Sequence, residues 1–120
     1  MKRLLLLATF ITLITISLAD ARVKVTGQGE KLNFDPVSIP VNLRPSFNLM
    51  TRKCVYCHTM ERTVVSIQTG RAPITGQLFN KQSVSAYGIK MLRKPNSNTN
   101  KQEIRDIVLL LNYLLDENAK

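Results

Sequence analysis

Two cysteines and one histidine are the whole supply of those residue types in the 120-residue chain. A structural zinc site takes four ligands, so these three fall one short unless a carboxylate joins them. A single histidine also means that no site can draw two imidazoles from this chain. Glycine and proline are sparse at five each, no internal repeat is present, and the apolar fraction is an ordinary 44%. Those values exclude collagen-like, repeat and wholly disordered chains, and the length leaves room for one small domain. Acidic residues are few, 8 against 17 basic ones, yet no basic run exceeds two residues. The positive charge is therefore a dispersed field that speeds approach to acidic partners and weakens with salt. No nucleic-acid-binding motif accompanies it, and nucleic acid is not an expected partner.

A bilayer-spanning run is also lacking. Leu4 to Leu18 is apolar apart from Thr9, Thr12, Thr15 and Ser17, but its 15 residues fall short of a span, which takes ~20. Met1-Lys2-Arg3 precedes it and the small-x-small sequence Ala19-Asp20-Ala21 follows. The pattern reads as a signal peptide over residues 1–21, cleaved near Ala21, with an uncleaved anchor as the competing reading. Neither cysteine lies near the cleavage site, which excludes a lipid attached to cysteine there. An exported protein with no stable membrane anchor is expected, and loss of Lys2, Arg3 and Asp20 leaves it a net charge of +8 over 99 residues.

Residues 22–43 are polar and punctuated by Gly27, Gly29, Pro36 and Pro40. The short alternations Val23-Lys24-Val25 and Val37-Ser38-Ile39 predict a brief strand or an extended strap wrapped around a domain of residues 44–120. Pro45-Ser46 can open a helix that carries Phe47, Met50 and Cys54 on one face. A second helix runs from Met60 to Gly70, and Arg71-Ala72-Pro73 reads as loop. Asn80 is a candidate cap for a third, passing Val84, Tyr87 and Met91 and stopping before Pro95. Asn100 and Glu103 form a capping-box pattern ahead of Ile104, Ile107, Val108, Leu111, Leu114 and Leu115, an apolar stripe that predicts a core-facing helix. Four helices around one core make the expected class all-α.

What remains is Cys54-Val55-Tyr56-Cys57-His58, a Cys-x-x-Cys-His run, the signature of c-type haem attachment. Two thiols three residues apart share one side of a helix, where each can add to a vinyl group of one porphyrin while His58 turns its imidazole toward the iron. Export fits, because such thiols left free outside the cytoplasm oxidise to a disulfide. A redox dithiol, a zinc site and a chance pairing are the alternatives; the first belongs in a βαβ context that this chain lacks. With His58 as proximal ligand, the second axial ligand is expected to be a methionine thioether, which raises the iron's potential relative to a second histidine. Met60 lies too near His58 and Met50 belongs to the helix leading into the motif. Met91, 33 residues past His58, is the candidate. Lys90, Lys94 and an open sixth position compete with it.

Ser46 to Met50 ahead of Cys54-Val55-Tyr56-Cys57-His58, the downstream Met91 and the terminal helix with Tyr113 resemble class I cytochromes c over residues 44–117. Phe34-Asp35-Pro36, Thr59-Met60-Glu61-Arg62, Gln68-Thr69-Gly70 and Lys90-Met91-Leu92-Arg93-Lys94-Pro95 resemble, more narrowly, the PccH-type periplasmic monohaem cytochromes of metal-reducing bacteria. The class places a glycine eight residues before the first cysteine and an aromatic four before it; Ser46 and Met50 stand there instead. The resemblance implies a class I cytochrome c fold, one haem c held through Cys54 and Cys57, and iron ligated by His58 and Met91. It implies that the carbonyl of an Ala72-Pro73 loop accepts the imidazole Nδ1–H, and that Tyr87 lies near the propionates. The expected function is a periplasmic one-electron carrier, not an enzyme. Redox partners with acidic surfaces would dock on Arg52, Lys53, Lys90, Arg93 and Lys94. A haem-based sensor with a labile sixth position and a cytochrome subunit of a larger redox complex are the alternatives. Without haem to fill its core, a chain this small is expected to be largely unfolded.

Overall fold

The computed structural model describes residues 23–120, so the expected signal peptide and Arg22 lie outside the described residues. Strand β1, Val25–Thr26, pairs antiparallel with β2, Asn33–Phe34, setting Val25 opposite Phe34 and Thr26 opposite Asn33. The turn between them needs glycine. Gly27 has φ +79°, and a Cβ there would stand 2.2 Å from the Lys31 carbonyl oxygen. Phe34 and Ile39 leave almost nothing exposed, each worth roughly 1.5–3 kcal/mol of burial, and they pin the segment to the helical core. Around Val37 the chain departs from the extended expectation and makes a 3-10 turn, Pro36–Ser38. Asp35 Oδ1 accepts from the Val37 amide at 3.0 Å, and proline in first position has no N–H to satisfy. The cap overrides a three-residue alternation.

Four α-helices follow among the described residues: α1 Arg44–Lys53, α2 Met60–Thr69, α3 Val84–Leu92 and α4 Lys101–Ala119. Helix α1 carries Pro45 in its first turn and buries Phe47 and Met50. Helix α2 ends against a left-handed Gly70 and buries Met60, Val64 and Ile67. Asn80 acts as a cap, but of a turn ahead of α3: its Oδ1 accepts from Ser83 N at 3.0 Å while its own N–H donates to Ser83 Oγ at 2.9 Å. Regular helix then starts at Val84, three residues later than a cap at Asn80 would place it. At α4 the Asn100–Glu103 capping box is complete in both directions.

The described chain is mostly helical with one small sheet, which agrees with the all-α expectation at that level. Helix α4 is the hub, with Ile107, Leu110, Leu111 and Leu114 buried against α1, α2 and α3. Strand β2 and the 3-10 turn Gly29–Lys31 lie against α2. Among the described residues, no helix is long and apolar enough to cross a membrane.

Candidate functional site

Helix α1 tightens at its end into a 3-10 turn, Cys54–Tyr56, that holds the Cys-x-x-Cys-His segment. Cys57 follows directly as the residue that caps this turn. Cys54 is half-buried, Cys57 exposed, and both are free thiols. The backbone then turns extended at Thr59, φ −70° and ψ 161°, before α2 begins. His58 sits at that corner with Nδ1 2.9 Å from the Thr59 carbonyl oxygen. In the tautomer that donates this hydrogen bond, Nε2 keeps its lone pair, as a metal ligand must.

Cys54, Cys57, His58 and Met91, the four residues singled out from sequence, all line one cavity of about 420 Å³. Helix α1 and the turn after it supply one wall, α2 a second, α3 with the loop after it a third, and Ile104, Ile107 and Leu111 of α4 the apolar back. Residues 23–43 contribute nothing to the lining, so the strap braces the helices from outside the site. Met91, on the last turn of α3, is half-buried. Met50 also reaches the cavity but is 1% exposed and packed into the core.

Burial, and secondarily the neighbouring Cys57, pushes the Cys54 thiol up to about 11. At neutral pH it is a protonated thiol beside apolar surface, a poor nucleophile and a poor thiolate ligand. Among the described residues, no three of His, Cys, Asp and Glu converge on a point that could hold a metal ion. A zinc ion would therefore find only Cys54, Cys57 and His58 of this chain near the cavity, one ligand short of four. Haem fits better. A cavity of this size is in the range of cofactor sites, ~300–1,000 Å³, and its lining holds the cations Arg62, Lys90 and Lys94 with no carboxylate among them. Such a lining suits a flat apolar ligand carrying acidic groups.

The cavity also uses residues that sequence reasoning passed over. Arg62, Thr63 and Ser66 form one face of α2, at the helical spacing that would have flagged them, and buried Ser66 donates through Oγ to the Arg62 carbonyl at 2.8 Å. Ser97 and Thr99, in the loop between α3 and α4, line the cavity as well. One implied role is changed. The Ala72 carbonyl is engaged by the Gly76 amide at 2.8 Å, closing the loop, while the His58 Nδ1 contact goes to Thr59; Ala72 and Pro73 line the cavity only. Tyr87 also lines it, its ring centroid 5.1 Å from that of Phe79 and its hydroxyl donating to Gln77 Oε1 at 3.3 Å. Lys53 leaves the docking set as well, because its ammonium is held by Glu103 and the Asn98 carbonyl. Arg52, Lys90, Arg93 and Lys94 remain exposed.

No protein-family model matches the chain, and neither the curated proteins nor the solved structures contain a match to it.

Proposed function

We propose that the protein is a periplasmic one-electron carrier with a class I cytochrome c fold and a single haem c. Cys54 and Cys57 would hold the haem, with His58 and Met91 as axial ligands. The observation that carries this reading is the convergence of those four residues on one largely apolar cavity. When bound, the haem supplies a metal centre that cycles between ferrous and ferric states. The chain's own part is to fasten, orient and shield. Cys54 and Cys57 would anchor the group through two thioethers, each S–H adding across one vinyl group. The Thr59 carbonyl fixes the His58 ring. Ile104, Ile107 and Leu111 exclude water from the back of the cavity. A methionine sulfur in the sixth position favours the ferrous state and leaves no room for substrate, which makes the protein a carrier and not an enzyme.

Exposed Arg52, Lys90, Arg93 and Lys94 would draw in the acidic surface of a redox partner. Export rests on the signal-like residues 1–21. Intact-protein mass together with a pyridine haemochrome spectrum tests the proposal. One covalently added haem on a chain beginning near Arg22 supports cofactor and export at once. A colourless, properly matured protein, or one carrying zinc, ends it.

A further inference from the structure

We propose, on the haem reading above, that Lys53 and Glu103 are positioning residues whose ion pair clasps the Cys54 edge of the cavity to the loop after Met91 and so keeps the sixth coordination position closed. Lys53 is the last residue of α1 and the one before Cys54. Its Nζ donates to the Asn98 carbonyl at 2.7 Å and to Glu103 Oε1 and Oε2 at 2.8 and 2.9 Å. An ammonium has three protons, and here each has an acceptor. The two side chains are only 18% and 22% exposed, against 52% and 54% for the Lys81–Asp116 pair, so solvent and salt screen the clasp far less.

The far end of the clasp is built to receive it. Asn96 and Asn98 have φ of +60° and +52°, the left-handed region that residues other than glycine occupy at a cost. At Asn98 the compensation is visible, since its carbonyl accepts the Lys53 ammonium. From there the contacts run back to Met91. Ser97 Oγ donates to the carbonyl of Leu92, the residue after Met91, and Ser97 and Thr99 line the cavity. Glu103 meanwhile accepts from the Asn100 amide at 3.0 Å, tying the same loop to the start of α4.

The two sides of the cavity are therefore secured differently. Covalent bonds and the His58 corner would hold the cysteine side, whereas the loop after Met91 is tied across the cavity mouth to α1 by the Lys53 ammonium. Loosening that grip should release Met91 while leaving haem attachment intact.

The test compares mature wild type with Lys53→Met, Lys53→Arg, Glu103→Gln and, as a distant control, Lys81→Met. Each is read by haem content, by the rate of carbon monoxide binding to the reduced protein, and by amide hydrogen exchange over residues 94–100. One haem per chain is expected throughout. Carbon monoxide binding should be about tenfold faster or more in K53M and E103Q, with faster exchange in the loop, partial recovery in K53R and no change in K81M. E103Q leaves an amide oxygen to serve the capping box, so it reports on the clasp even if K53M fails to mature. Coloured K53M and E103Q with wild-type carbon monoxide kinetics overturn the clasp alone. Rapid, complete binding by wild type overturns Met91 ligation and the clasp with it. A colourless wild type overturns the haem reading itself.

Discussion

A Cβ placed on Gly88 would stand 2.9 Å from Ile104 Cγ2 and equally close to Val108 Cγ2. Glycine at this one position lets α3 lie directly on α4. Met91 follows three residues along α3, and Ile104 is part of the cavity wall, so the close approach sets how far the methionine reaches into the site.

Gly88→Ala should therefore destabilise the protein even though alanine is the better helix former. Propensity favours alanine by about 1 kcal/mol, but overpacking against two stiff β-branched side chains costs about 1–3 kcal/mol. A net loss of about 1 kcal/mol in urea denaturation is expected, larger for Gly88→Val. Val108→Ala added to Gly88→Ala should restore part of it, because the two sites are in contact and couple. A fully additive double mutant would mean that the helices separate freely at this crossing.

The cavity was legible in the sequence where chemistry and spacing coincide. Cys54, Cys57 and His58 announce themselves as a motif, while Met91 is reached only on the expectation of a haem and in competition with Lys90 and Lys94, all three of which line the cavity. The α4 stripe and its capping box were equally plain, since both are local patterns. The 3-10 turn at Pro36–Ser38 was hidden because one aspartate cap outweighs an alternation too short to pair. The clasp at Lys53 is hidden for a different reason. Its partners lie 45 and 50 residues away, and no local pattern distinguishes a clasped lysine from a solvated one. Gly88 likewise reads as a weak spot in a helix until the second helix is in place.

Met50 and Met91 both touch the cavity, and their substitutions should fail in opposite ways. Met50 is a core residue, 1% exposed, and truncation to alanine should cost about 2–5 kcal/mol of stability with the potential little changed. Met91→Ala, at a half-buried position, should cost less stability but, if Met91 ligates a haem iron as proposed, lower the reduction potential and admit carbon monoxide to the reduced protein. Denaturation and potentiometry on the same two variants check this. A potential drop in Met50→Ala alone would reassign the ligand.

Glu103 gives the protein an acid-sensitive contribution to stability. Hydrogen bonds from the Lys53 ammonium and then from the Asn100 backbone, with Lys53 and Arg52 charges adding, hold its carboxyl below the usual glutamate value. A depressed carboxylate stabilises the fold fully above its unfolded pKa and loses that contribution as pH falls through the lower, folded one. Urea midpoints should thus be insensitive to this group near neutrality and drop below the ordinary carboxylate range. Glu103→Gln should flatten that drop while preserving helix content. An unaltered acid slope in the variant would remove Glu103 as its source.

Lys90 and Lys94 line the cavity and, with Arg93, also an open depression on the outer side of α3 that includes Ile89 and Pro95. If the proposed haem is bound there, positive charge this near it would favour the ferrous state and attract anions to the same edge. Lys90→Gln/Lys94→Gln should lower the reduction potential by on the order of tens of millivolts. The oxidation rate by ferricyanide, an anionic one-electron acceptor, should fall in the variant and show a shallower decline with added salt. A cationic cobalt complex used as acceptor should show the reverse trend. If both reagents respond alike to the double substitution, electrons leave by another face, and the exposed Arg52 near the cysteine turn becomes the next position to change.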